Sequence, residues 1–269
     1  MSKILTTLLL TLWLSVGAAW AGDVEDADAA VDRKDYATAL AKYKIAALKK
    51  DAYAQAQVGN MYNEGLGVVQ DYAEAVRWYK LAAEQGRAGA QFNLGVSYDD
   101  GRGVVQDYAE AVRWYKLAAA QGHARAQINL GVSYYGGIGV VQDYAEAVRW
   151  YKLAAVQGNA SAQYNLGFMY NNGQGVVQDY AEALRWYKLA AAQGLPFAQG
   201  NLGAMYEKGQ GVVQDYTRAH MWFNLAAVTG DSVSVKNRDI VAKQMTSQQI
   251  AEAQKLAREC QARNFKNCD

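Results

Sequence analysis

Apolar positions recur along this chain with helical spacing. From Tyr108 onward, Tyr108, Ala111, Val112, Tyr115, Ala118 and Ala119 fall on one face at three- and four-residue steps, while Glu110, Arg113 and Leu117 fall opposite and Trp114 lies on the flank. Asp107 and Glu110 have the spacing of a capping box: the aspartate accepts from the N–H groups that open the helix, and the glutamate reaches back to the cap's own N–H. Gly122 ends the helix. A shorter helix precedes it, in which Ala90, Leu94 and Tyr98 form an i, i+4, i+8 stripe with Gly95 beside it. Glycine inside a helix costs about 1 kcal/mol relative to alanine, so the column Gly59, Gly95, Gly131, Gly167 and Gly203 predicts close approach of a neighbouring helix. Tyr98, Tyr134, Tyr170 and Tyr206 read as core beyond those glycines. Between the two helices Gly101-Arg102-Gly103 gives the backbone freedom to turn, and Val104-Val105 is expected to plug the gap between layers.

The whole pattern recurs every 36 residues. Gly67–Ala83, Gly103–Ala119 and Gly139–Ala155 are identical, Gly175–Ala191 differs only by Leu184, and a fifth copy begins at Gly211 and drifts after Tyr216. A period of this length is the signature of units that bury their apolar faces only by stacking, so the fold class is an all-α solenoid of αα-hairpins. Residues 22–50 read as N-terminal capping helices, 51–229 as five repeats, and 230–269 as C-terminal capping helices. In the last segment, helices are expected over Asp231–Met245 and Ser247–Asn264, the second opened by a capping box at Thr246 and Gln249. Pro196 stands at a helix start, where its missing N–H does no harm.

The run Ala-Gln-x-Asn-Leu-Gly-x-x-Tyr-x-x-Gly-x-Gly-Val, followed by Asp-Tyr-x-x-Ala-x-x-Trp-Tyr-x-x-Ala-Ala-x-x-Gly, resembles the Sel-one-like repeat (SLR), a relative of the tetratricopeptide repeat (TPR). The resemblance covers nearly all of the chain after residue 21. It implies a TPR-like right-handed superhelix whose concave wall is made by the shorter helices, and work as a protein adaptor without catalysis. Some exported members of that family, with a cysteine pair in each repeat, are associated with lactam binding or hydrolysis. This chain departs from them in having no cysteine before Cys260, and it lacks the Ser-x-x-Lys, Ser-Asp-Asn and Lys-Thr-Gly set of a serine lactamase.

Composition adds a compartment. Lys3, the apolar run Ile4–Val16 and Ala19-Trp20-Ala21 have the three parts of a secretory signal, so 1–21 is expected to be a signal peptide cleaved after Ala21 and the product periplasmic or secreted. Retention as a membrane anchor is the alternative, but the run falls short of the roughly 20 residues that span a bilayer. Cys260 and Cys268 are the only cysteines, and an even count in an exported chain favours a disulfide. So short a loop contributes about 2.5 kcal/mol in the chain-entropy model. A reactive thiol pair is the alternative. With 27 basic and 26 acidic residues there is no field to attract nucleic acid or an anionic membrane.

Catalytic patterns fail on inspection. Gly95-Val96-Ser97-Tyr98 and Gly131-Val132-Ser133-Tyr134 begin like a nucleophile elbow, but Asp99 and Tyr135 stand where its last glycine belongs. His123 and His220 are far apart in sequence, without carboxylate or metal-ligand spacing, and His220 occupies the core column of Val112. No cofactor, metal or enzymatic activity is expected.

Columns that vary between copies are where recognition can be written. On the shorter helices, opposite the Ala90–Leu94 stripe, they carry Phe92, Asn93, Val96 and Asp99; Ile128, Asn129, Val132 and Tyr135; Tyr164, Asn165, Phe168 and Asn171; and Gly200, Asn201, Ala204 and Glu207. Apolar residues aligned along a groove mark a partner site, and a ladder of asparagines can hold the backbone of an extended peptide. The other reading is that the asparagines bond neighbouring helices and the apolar residues fill a tightly curved wall. The chain therefore reads as a monomeric envelope adaptor for a protein or peptide. An effector or surface factor acting on a host is the alternative, and a lactam-binding enzyme a remote one.

Overall fold

The computed structural model describes residues 22–228 and 230–268, so the signal-peptide segment lies outside the described residues. Fourteen helices and no strand occur among those described, and the chain divides into two compact units. The first, to Ala126, holds α1 (22–32), α2 (Tyr36–Leu48), α3 (Ala52–Glu64), α4 (Tyr72–Glu84), α5 (Ala88–Asp100) and α6 (Tyr108–Ala120). The second, from Gln127, holds most of α7 (Ala124–Gly136), then α8 (Tyr144–Val156), α9 (Ala160–Asn172), α10 (Tyr180–Ala191), α11 (Pro196–Lys208) and α12 (Tyr216–Ala227), closed by α13 (Ser232–Ala242) and α14 (Ser247–Ala262).

Within each unit, successive helices pack as pairs: α2 on α3, α3 on α4, α4 on α5 and α5 on α6 in the first; α8 on α9, α9 on α10, α10 on α11 and α11 on α12 in the second. Both closing helices pack on α12, where Val241, Ala253, Ala257 and Cys260 join its core. Cys260 and Cys268 form a disulfide that closes a short loop after α14.

The helical glycines explain the tightness of this packing. A Cβ at Gly95 would lie 2.6 Å from the Tyr115 ring, and Gly59 and Gly131 meet Tyr79 and Tyr151 at the same distance. Any side chain there would push the long helix away. A second layer of order is a ladder of glutamines. Gln121 donates from Nε2 to Gln91 Oε1 at 2.8 Å, and Gln91 in turn donates to the Ala83 carbonyl at 3.1 Å. Gln85 with Gln55, Gln157 with Gln127 and Gln193 with Gln163 repeat the pairing, so these buried amides are hydrogen-bonded, as burial requires.

Several sequence expectations need correction. Asp107 does cap α6, accepting from Glu110 N–H at 3.0 Å, but the reciprocal half of the box is missing. The Asp107 N–H donates instead to the Tyr98 carbonyl at 2.9 Å, so the Glu110 carboxylate is left to bind Arg113. Arg113 in turn lies 4.0 Å over the Trp114 ring. Trp114 is therefore core and not flank, whereas Tyr108 is largely exposed. A reciprocal capping box does form at Thr246 and Gln249, as the spacing predicts. Val105 does not plug a gap: it is 88% exposed, and Val104 alone packs inward, beside the Ala75–Leu94 core.

Candidate functional site

The variable columns fall on α5 in the first unit and on α7, α9 and α11 in the second. In every copy an alanine and a leucine, such as Ala90 and Leu94 or Ala162 and Leu166, are fully buried and fix which side of the short helix turns away from the core.

In the first unit that side is covered. Phe92 is only 4% exposed, which corrects its reading as an open groove residue. Its ring stacks on His123 at 4.7 Å, with the Arg125 guanidinium 4.7 Å over it and the Tyr115 ring 6.0 Å away. Burial, then the neighbouring Arg125 charge, hold the His123 imidazole below its ordinary pKa. Asn93 is also engaged, donating to Asn60 Oδ1 at 3.0 Å, and that oxygen accepts from the Tyr79 hydroxyl as well. Asp99 accepts from the Tyr115 hydroxyl at 3.1 Å. Val96 is half-buried beside them. Here the asparagine does bond its neighbours, as the second reading of that column held.

The second unit is different. Val132 is 42% exposed and Phe197 65% exposed. Tyr135 meets Tyr144 at 5.4 Å and Phe168 edge-on at 6.4 Å, while Tyr164 lies 5.8 Å from Tyr187 and 6.1 Å from Phe197. Val132, Tyr135, Tyr151, Tyr164, Asn165, Phe168 and Met169 line an open hollow of about 260 Å³. Five of those seven are residues the sequence singled out. The other two, Tyr151 and Met169, come from the core columns and were missed. So was Phe197, which extends the aromatic surface along α11.

The remaining candidates lie outside its lining. Ile128 is half-buried against the core that contains Tyr151 and Leu166, and Asn129 is half-buried with no side-chain partner among the described residues. Asn201 stands within hydrogen-bonding reach of the Tyr164 and Tyr187 hydroxyls. Asn171 bonds Asn172, and Glu207 takes part through its carbonyl, which accepts from Gln214. The asparagine column is thus not a uniform ladder: Asn93 and Asn201 have partners, Asn165 has none among the described residues.

Tyr151 is the chemical centre of the hollow. It is 3% exposed, yet no protein atom among the described residues hydrogen-bonds its hydroxyl. Its counterparts are all paired or within reach of a partner: Tyr79 with Asn60, Tyr115 with Asp99, Tyr187 with Asn201. Where Tyr115 finds Asp99, Tyr151 finds Tyr135 one repeat on. Burial, then the neighbouring Tyr135, push the Tyr151 phenol well above its ordinary pKa, so it stays protonated and can both donate and accept. No group of three or more metal-ligating side chains converges anywhere among the described residues, and no helix there is long and apolar enough to cross a membrane.

The Sel1 repeat model matches residues 52–86, 88–123, 124–159, 160–195 and 196–227, more than half of the chain. The chain belongs to the Sel1 repeat family. Sel1 repeats build helical scaffolds that generally mediate protein interaction, without catalysis. Among solved structures, a Sel1 repeat protein from Oxalobacter formigenes is 37% identical over 79% of this chain and 88% of that one, with a TM-score of 0.75. The protein c5321, a protective antigen of uropathogenic Escherichia coli strains with an SLR fold, is 26% identical over 87% of this chain and 81% of its own, with a TM-score of 0.34. An immunity protein, Pa5087 of Pseudomonas aeruginosa, is 19% identical over 76% and 81%, with a TM-score of 0.46. No curated protein sequence matches the chain.

Proposed function

We propose that this Sel1 repeat chain is an exported, non-catalytic adaptor of the cell envelope that binds a protein or peptide through the open face of α7, α9 and α11. The observation that carries the reading is the partly exposed aromatic surface of the second unit, where Val132, Tyr135, Tyr164 and Phe168 border a hollow with no charged side chain in its lining and Phe197 extends the surface beyond it. Apolar surface grouped in this way, with polar amides beside it, suits capture of an extended segment. Export is supported by the three-part pattern of residues 1–21 and by the Cys260–Cys268 disulfide, which persists in an oxidising compartment.

The test is the double variant Tyr164→Ala with Phe168→Ala in the full chain. A photo-crosslinking residue at Phe197 is expected to yield a discrete adduct in intact cells, and the double variant to lose it while keeping its helical circular dichroism and its Tm. A Tm collapse, corresponding to more than about 3 kcal/mol, would make these two residues core and remove the support.

A further inference from the structure

The hollow around Tyr151 has a chemistry of its own. It is smaller than the roughly 300–1,000 Å³ of sites for drug-sized ligands, so it suits a single side chain. Its walls are three aromatic hydroxyl-bearing rings, a phenylalanine, a valine and a methionine, which favour a flat ring inserted among rings. With no lysine, arginine, histidine or carboxylate in the lining, a charged group entering it would lose its hydration without gaining a counter-ion. Three polar groups of the lining have no protein hydrogen bond among the described residues: the Tyr151 hydroxyl, on a residue more than nine-tenths buried, the Tyr135 hydroxyl and the Asn165 amide. A purely hydrocarbon ring would cover the Tyr151 hydroxyl and leave it unpaired.

Resting on the partner-binding reading above, we infer that this hollow is a recognition pocket for an uncharged phenol, a tyrosine side chain of an extended peptide, whose hydroxyl pairs with Tyr151. The Asn165 amide beside it can hold the peptide backbone on either side, since it both donates and accepts. Phenylalanine fits the shape and fails the hydrogen bond. Glutamate and phosphotyrosine fail by charge.

The experiment uses the full chain labelled with ¹³C at methionine methyls, because Met169 lines the hollow and reports entry locally. It is titrated with the blocked tripeptides acetyl-Gly-Tyr-Gly-amide, acetyl-Gly-Phe-Gly-amide and acetyl-Gly-Glu-Gly-amide. The tyrosine peptide is expected to shift the Met169 methyl saturably, the phenylalanine peptide to bind about tenfold more weakly, and the glutamate peptide to leave the methyl unmoved. Tyr151→Phe, which keeps the ring against Gly131, should abolish the tyrosine preference without weakening the phenylalanine peptide. Equal binding of the tyrosine and phenylalanine peptides, an unchanged preference in Tyr151→Phe, or no Met169 response at all would overturn the inference. Its failure is separable from failure of the adaptor reading: an adduct from Phe197 that persists beside a silent Met169 sinks the phenol pocket alone, whereas loss of the adduct sinks the open face itself.

Discussion

The faces of α5 and α9 carry the same repeat and behave in opposite ways. On α5, Phe92 is covered by His123 and Arg125, Asn93 is tied to Asn60, and Asp99 takes the Tyr115 hydroxyl. Around α9, Tyr164 and Phe168 border an open hollow, and among the described residues neither Asn165 nor the hydroxyl of the buried residue Tyr151 has a side-chain partner. The long helices that support the two faces are almost identical letter for letter. What differs is a few residues on the short helices, chiefly Asp99 against Tyr135 and Asn60 against Val132 and Phe168. A repeat scaffold can therefore open or close a face by exchanging a few residues of the short helices, while the stacking residues stay unchanged.

The largest effect that tests this contrast is on stability. Phe92→Ala should cost about 3–5 kcal/mol in urea unfolding, since it empties a covered site, while Phe168→Ala should cost less than half as much. Equal losses would show that the two faces are equally packed. Next is the polar contrast: Asn60→Ala should cost about 1–3 kcal/mol, because it removes the acceptor that the Asn93 amide and the Tyr79 hydroxyl share, whereas Asn165→Ala should stay within about 0.5 kcal/mol of the parent. Tyr135→Asp goes further and converts the open face toward the closed one. It gives Tyr151 the partner that Tyr115 has, and is expected to raise stability by about 0.5–1.5 kcal/mol while silencing the Met169 response to tyrosine peptide.

The smallest effect is that of pH. His123 in the first unit and His220 in the second are both held below their ordinary pKa of 6.5, chiefly by burial, so the unfolded chain takes up protons there before the folded one does. Stability contributed by the neutral imidazoles is full above 6.5 and falls as pH drops through the window between 6.5 and the lowered folded value. Replacing His123 by Gln should flatten the acid limb of the urea midpoint measured from about pH 8 down to about pH 5, leaving the His220 share. A steeper acid limb in that variant would contradict the assignment.

The sequence made the helices legible because their signals are local. The spacing of Ala111, Val112, Tyr115, Ala118 and Ala119 marks the buried face of α6, the aspartates mark its start, and the glycine column announces the rings of Tyr79, Tyr115 and Tyr151. Where the reading went astray, a partner distant in sequence decided the outcome. Glu110 does not complete a capping box because the Tyr98 carbonyl already holds the N–H it would reach. Phe92 looks exposed in its own helix and is covered only by residues at the start of the next short helix. Tyr151 was hidden for the opposite reason: the letter is the same in five long helices, and the change that leaves its hydroxyl unpaired lies at Tyr135. Reading the columns jointly, the invariant tyrosine against its changing neighbour, is the signal that could have found it.

Val96 and Val132 occupy equivalent positions on the closed and the open face, so a photo-crosslinking residue placed at each in turn compares the two directly. The account predicts a discrete partner adduct in intact cells from position 132 and none from position 96. Adducts of equal yield from both, or from position 96 alone, would contradict it.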